Sequence, residues 1–378
     1  MVCKSIRIEN FRNIGEAEVH FSPGVNVLYG DNAQGKTNLL EAVYFTALGK
    51  SFRPAKEAEL IRFGAEGCRI LNTFSDSLRT QTLSYRLSGG RGRRLVEQNG
   101  VRVTRMSDMV GAFRVVLFCP EHLSLIQGGP ELRRGYLNVA LSQLRPVYLR
   151  ALQRYNQILK ERNSLLRRAP EDMATFRATE PMWSAQLAHE AALIAAMRDV
   201  YISRVNRLVA ACFSDMTEDG EVPELTYVNS LGLIGEALAD RADVEARYLS
   251  LLSTRHDREI GAGATLWGIH KDDIAVTLNG RPARQFASQG QQRSLALAMK
   301  LAEGEISAQE SGGDRPVFLF DDVLSELDSR RRAYLMGELE GRQVIMTTCD
   351  PSASGIAADR VHTIRVVAGR YEESGSGK

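Results

Sequence analysis

The sequence predicts an α/β protein: a head with a mixed sheet and an antiparallel β subdomain, interrupted by an inserted α-helical arm. Three observations carry this expectation. A glycine-rich turn, Gly30 to Thr37, separates a β-favouring run from a helical one. Far downstream, the wholly apolar run Val317-Phe318-Leu319-Phe320 ends in Asp321-Asp322. Between them, from about 131 to 258, apolar residues recur at threes and fours, the stripe of amphipathic helices. The two ends of the chain are therefore expected to build one head, residues 1–127 with 266–378, into which residues 128–265 are inserted.

The elements follow in order. Val25-Asn26-Val27-Leu28-Tyr29 reads as a short strand, and a helix begins at Lys36. Residues 68–105 alternate in strand fashion, with turn signals at Gly89-Gly90 and Asn99-Gly100, and read as an antiparallel meander. Leu137, Leu141, Leu144, Tyr148, Leu152, Tyr155 and Leu159 form one helical stripe. Trp183, Leu187, Ala191 and Ile194 begin a second, and Arg241 to Leu252 makes a third. From 265 short apolar runs return.

With 378 residues, 44% hydrophobic and 25% charged, the chain is long enough for two or three domains with a sizeable core. Its net charge of only +2 points to no partner, so any nucleic-acid surface must come from local asymmetry. Such asymmetry exists: 131–207 holds 13 basic residues against 7 acidic, and 208–265 holds 4 against 11. The five cysteines are odd in number and none has CxxC spacing, which fits a reducing cytoplasm better than disulfides or structural zinc. No apolar run approaches the 18 residues or so of a membrane span.

The strongest chemical signal is Gly30-Asp31-Asn32-Ala33-Gln34-Gly35-Lys36-Thr37, which fits G-x-x-x-x-G-K-[ST] in its required strand–helix setting. Glycines let the backbone turn its N–H groups toward phosphate oxygens, and the helix N-terminus adds partial positive charge. Lys36 is expected to reach the β- and γ-phosphates of ATP, and Thr37 to offer its hydroxyl to Mg²⁺. Carboxylates ending a buried parallel strand emerge where open α/β sheets bind ligands. That makes Asp321 the candidate Mg²⁺ ligand and Asp322 the candidate base for the attacking water. A third signal, Ser288-Gln289-Gly290-Gln291-Gln292-Arg293, opens an Ala/Leu-rich helix. A serine at a helix start is either a plain N-cap or part of a second phosphate site.

The order of these motifs, closed by Ser325-Glu326-Leu327-Asp328, resembles the ABC-type ATPases of DNA repair and chromosome maintenance, relatives of the SMC proteins. The resemblance narrows to the bacterial RecF family through Phe11-Arg12-Asn13, the phosphate loop running on to Glu41, Ser51-Phe52-Arg53, Pro120-Glu121-His122-Leu123, Gly128-Gly129-Pro130 and His270-Lys271-Asp272-Asp273. These blocks run in family order from residue 11 to 328. The resemblance implies a DNA-binding ATPase of recombinational repair that dimerises on ATP and favours single-strand/double-strand junctions. It further implies that the protein works with RecO and RecR to load RecA. Ser288, Gly290 and Gln291 would then meet the nucleotide held by the partner chain, and Ser325–Asp328 would be the D-loop. Two departures stand out: Ile269 replaces the family's usual proline, and no switch histidine follows Val344-Ile345-Met346. Thr348 is the candidate substitute. His270 is open between an interface ligand and a structural histidine.

Residues 79–105 hold seven arginines against one acid, Glu97. The tip arginines Arg91, Arg93 and Arg94 are candidate DNA contacts, with a merely solubilising hairpin as the other reading. Arg150, Arg154 and Arg162 on the arm are a second set. Two other classes fit less well. A transporter-type ATPase subunit has no need of the 252 positions between Lys36 and Ser288, and a small-molecule kinase has no use for the second phosphate site. A nucleotide-gated scaffold that hydrolyses ATP only to reset differs mainly in turnover.

Overall fold

The computed structural model describes residues 1–89, 94–217, 220–349 and 360–373. They fall into two compact units, Met1–Ser124 with Ala296–Lys378 and Leu125–Leu295.

The first unit contains two six-stranded sheets. One is mixed, in the order Arg370–Glu373, Val361–Val367, Val25–Tyr29, Val344–Thr348, Val317–Asp321, Val115–Phe118. All its pairs are parallel except the edge hairpin. The inner strands read as continuous apolar runs because both faces are covered, and Phe118 stacks on Phe320 with centroids 4.3 Å apart. Parallel pairing brings the C-terminal ends of Val25–Tyr29, Val344–Thr348 and Val317–Asp321 to one edge, so the loop at Gly30 and the carboxylates of Asp321 and Asp322 emerge together. The helix Lys36–Leu48 is buried almost throughout, most of its few polar side chains included.

The other sheet is antiparallel throughout: Ile14–His20, Val2–Phe11, Gly67–Ser75, Thr80–Ser88, Arg94–Gln98 and Val101–Arg102. The meander expected over 68–105 is present, turned at Asn99 (φ 52°) and Gly100 (φ 77°), the pair of positive φ that a tight hairpin requires. The N-terminal hairpin that extends this sheet was not anticipated from the sequence. Tyr85 packs edge-on to Phe45 at 5.2 Å and fastens the sheet to the phosphate-loop helix.

The second unit is led by the helices Pro130–Leu144, Pro146–Arg168, Met173–Met216 and Arg241–Thr254. The first expected stripe is broken into two helices at Arg145, because Pro146 starts a new helix at its favoured first position. The 44-residue helix begins ten residues before Trp183, where the Asp172 carboxylate caps it by accepting from Thr175 N at 3.0 Å. A three-stranded sheet, Pro223–Val228, Asp273–Leu278 and Arg281–Pro282, completes the unit. This pairing ties 273–282 to 223–228, so the helical unit extends past the boundary at 265/266 read from sequence.

Candidate functional site

The phosphate loop is held in place from several directions. Gly30 (φ 147°) lies against the Val366 carbonyl so closely that no side chain fits there. Gly35 (φ 115°) sits among Asn13 and the Tyr371 hydroxyl, which donates to the Gly35 carbonyl at 3.0 Å. Gln34 is pinned at two points: its Oε1 accepts from Ala368 N at 2.6 Å and its carbonyl from Gly369 N at 2.8 Å. The turn between Val361–Val367 and Arg370–Glu373 therefore braces the loop. Sequence reasoning missed this brace, although Ala368-Gly369 directly after Val366-Val367 was a usable turn signal. Lys36 Nζ donates back to the carbonyls of Gly30 at 2.5 Å and Asp31 at 2.8 Å, so its charge lies within the loop it serves. Asp31, Asn32 and Ala33 form the exposed outer part of the loop, with Ala33 at φ 63°.

Thr37 and Asp321, 284 positions apart, meet at this edge: Thr37 Oγ1 donates to Asp321 Oδ1 at 2.7 Å. Thr347 Oγ1 reaches the same oxygen at 3.0 Å and accepts from Asp322 N, also at 3.0 Å. The hydroxyl beside the acidic pair is thus that of Thr347, one residue before the candidate Thr348. Burial pushes the Asp321 carboxyl above its ordinary range, and the Thr37 and Thr347 hydroxyls pull it back. Asp322 adopts φ 53°, a left-handed conformation uncommon for a side-chain-bearing residue, and its carbonyl accepts from Ser325 Oγ at 2.8 Å. Asp328 caps the next helix through Arg331 N at 2.8 Å.

One turn beyond Thr37, the fully buried Glu41 gathers three sequence blocks. It accepts from Arg12 Nη2 at 2.6 Å and Nε at 3.0 Å, and from Arg53 and Ser51. Burial alone would raise its pKa, but these donors hold it below the usual carboxylate range. Arg53 also donates to Asn38 Oδ1 at 2.6 Å, and Asn38 donates to Asn13 Oδ1 at 2.7 Å. Beside them opens a cleft of about 940 Å³, lined by Arg12, Asn13, Asn38, Arg62 and the fully exposed Phe63.

In the second unit, Ser288 is the N-cap of Gln289–Glu310. Its Oγ accepts from Gln291 N at 3.2 Å, while Gln291 Oε1 accepts from Ser288 N at 2.6 Å, a reciprocal capping box. Gly290 occupies the first turn between them.

The DNA-contact candidates change. Arg91 and Arg93 lie outside the described residues. Arg94 is not part of a free tip: it pairs with Glu57 and stacks over Phe45, its guanidinium 5.4 Å from the ring centroid. Arg162 is fully buried and bonded to Glu180, Glu259, Ser184 and Thr265, and Arg154 makes a bidentate pair with Glu190. Arg162, sealed in that way, cannot touch DNA, whereas the Arg154 side chain stays half exposed beside its partner. His270 is structural: its nitrogens bond to the Tyr155 hydroxyl at 2.7 Å and the Thr265 carbonyl at 3.0 Å, and burial lowers its pKa to about 4. Ile269 is buried in proline's place, its carbonyl accepting from Arg198 Nη1 at 2.7 Å.

A mixed sheet carrying a phosphate loop, a facing Thr–Asp pair and a joined antiparallel sheet defines an ABC-type ATPase head with an inserted helical unit. Residues 2–371 match the RecF/RecN/SMC N-terminal domain model. RecF of Heliobacterium modesticaldum is 39% identical over 379 residues, covering 99% of this chain and all of that protein. RecF of Listeria welshimeri is 37% identical with both chains fully covered. The chain belongs to the RecF family of DNA replication and repair proteins. Among solved structures, the recombination mediator protein RecF-ATP in the RecFOR pathway matches at TM-score 0.89 with 31% identity, covering 99% of this chain and 98% of that one. The Smc head domain of Pyrococcus furiosus, at TM-score 0.56 and 15% identity with 99% and 96% covered, shares the fold.

Proposed function

We propose that the chain is an ATP-dependent DNA-binding protein of recombinational repair and replication-fork maintenance. It dimerises on ATP, binds DNA at single-strand/double-strand junctions or gaps, hydrolyses ATP slowly as a DNA-stimulated switch, and acts in the cytoplasm with RecO and RecR to load RecA. The observation that carries the reading is the 2.7 Å contact between Thr37 and Asp321 at the mouth of the phosphate loop, in a chain alignable with RecF along its whole length.

The residues present fit Mg²⁺. A hydroxyl and a carboxylate oxygen already meet there, and magnesium is commonly held by one or two protein oxygens together with substrate phosphates and waters. Among the described residues no group of three His, Cys, Asp or Glu could hold a metal by itself. Bound with ATP, the ion supplies neutralisation of the β- and γ-phosphate charge. Lys36 exchanges its carbonyl partners for phosphate oxygens. The cleft beside Asn13 and Asn38 receives the nucleoside end. Water attacks the γ-phosphorus as the bond to the β-bridging oxygen breaks, and Asp322 takes the water's proton. Ser288, Gly290 and Gln291 of one chain complete the site of the other.

The test is nucleotide binding by a Lys36→Met variant. The reading expects most ATP affinity to be lost with the fold intact, and unchanged binding would remove the phosphate-loop assignment.

A further inference from the structure

Gln291, the third residue with Ser288 and Gly290 in the candidate nucleotide-facing signature that opens the helix Gln289–Glu310, has a partner outside that motif. Its Nε2 donates to Oε1 of Glu221. The same amide's Oε1 accepts from Ser288 N, so one side chain is held at both ends. Glu221 is itself rigidly placed. The next residue, Val222, is clamped to Asn279 twice: its N–H donates to Asn279 Oδ1 at 2.8 Å and its carbonyl accepts from Asn279 N at 2.9 Å. Asn279 (φ 52°) and Gly280 (φ 74°) form the turn between Asp273–Leu278 and Arg281–Pro282. The neighbouring strand is fixed to the 44-residue helix where Leu225 N donates to Asn206 Oδ1 at 2.8 Å. The other Glu221 oxygen, Oε2, is buried with no hydrogen-bond partner. A carboxylate with one lone oxygen sealed from water is costly to keep, so its placement needs a reason beyond packing.

We propose that Glu221 is a positioning residue for the signature: it fixes the Gln291 amide, and through the capping box the Ser288 hydroxyl, in the orientation that meets the partner chain's nucleotide. Because Gln291 N already donates to Ser288 Oγ, the hydroxyl proton stays available for a phosphate oxygen. Glu221 belongs to the inserted segment, so the signature's geometry depends on the arm's sheet rather than on its own helix alone. The inference rests on the reading that the signature acts across a dimer.

The experiment compares Glu221→Ala and Glu221→Gln in the full chain. Glutamine keeps an oxygen to accept from Gln291, and alanine does not. Glu221→Ala is expected to leave monomer ATP affinity unchanged and to weaken ATP-dependent dimerisation by roughly tenfold per site, the scale of one ordinary hydrogen bond. Without nucleotide, amide hydrogen exchange over 288–292 should speed up in Glu221→Ala alone. Glu221→Gln should restore both readouts. Wild-type exchange and dimerisation in Glu221→Ala, or equal loss in both variants, would overturn the inference. Ser288→Arg run alongside separates the premises: if that variant dimerises normally, the reading across the dimer falls and the functional half of this inference falls with it.

Discussion

Arg162→Ala separates a buried structural arginine from a DNA contact. The guanidinium has no exposed surface and makes four hydrogen bonds: to Ser184 at 3.0 Å, Thr265 at 2.9 Å, Glu180 at 3.0 Å and Glu259 at 2.6 Å. Truncation leaves two buried carboxylates without a cation, and removing one partner of a buried ion pair costs about 3–5 kcal/mol. An independent bound agrees. Relieving one stranded charge by protonating an ordinary carboxylate at pH 7.5 costs about 4 kcal/mol, and at pH 5.5 about 1.6 kcal/mol. The stranded group takes a proton more readily folded than unfolded, so the variant's deficit shrinks as pH falls. Urea unfolding of the helical unit, followed by circular dichroism at pH 7.5 and 5.5, should show about 4 kcal/mol of destabilisation falling to under half. A loss below about 1 kcal/mol at pH 7.5 would refute the buried-network account and return Arg162 to the DNA-contact candidates.

Three further outcomes are expected. Asp322→Asn should retain ATP binding and lose roughly 10²–10⁴-fold in turnover, the usual contribution of a placed base; steady-state turnover within threefold or so of wild type would place the base elsewhere. His270, held near pKa 4, should show no imidazole titration by NMR between pH 8 and 5. Because its folded pKa is depressed, its stabilising contribution is complete above about 6.5 and is lost as pH falls through about 4; an inflection near 6.5 would mean the ring is exposed. Neutralising Arg91 and Arg93 should flatten the slope of log DNA affinity against log salt by about 0.7 to 0.9 for each phosphate no longer neutralised, alike across DNA sequences. An unaltered slope would place the DNA-binding surface away from that hairpin.

The phosphate loop, its lysine and the Asp pair were legible because each is a short run between strongly apolar elements. What joins them was not. That Thr347 reaches Asp321 follows from the register Asp321↔Thr347 between strands distant in sequence. The brace on Gln34 comes from a hairpin 334 positions away. The N-terminal hairpin was obscured because Val2–Phe11 and Ile14–His20 carry charges on their open faces. Arg162 was partly legible. Tyr148, Tyr155 and Arg162 stand seven apart on the same helical face, so the apolar stripe itself placed the arginine inside. Charge count alone hid this, because a buried arginine paired with acids counts the same as a free one. Glu221 carried no local signal, since its meaning lies in a side chain 70 positions away.

The central claim is that two incomplete nucleotide sites are completed by two chains. Sedimentation equilibrium with and without ATP tests it most directly, using wild type, Lys36→Met, Ser288→Arg and an equal mixture of the two variants. The account predicts an ATP-dependent dimer for wild type and monomers for each variant alone. It also predicts that Ser288→Arg monomers still bind ATP, and that the mixture forms heterodimers weaker than wild type, with one of two sites rebuilt. A wild-type chain that stays monomeric with ATP, or a Ser288→Arg monomer that no longer binds ATP, would contradict it.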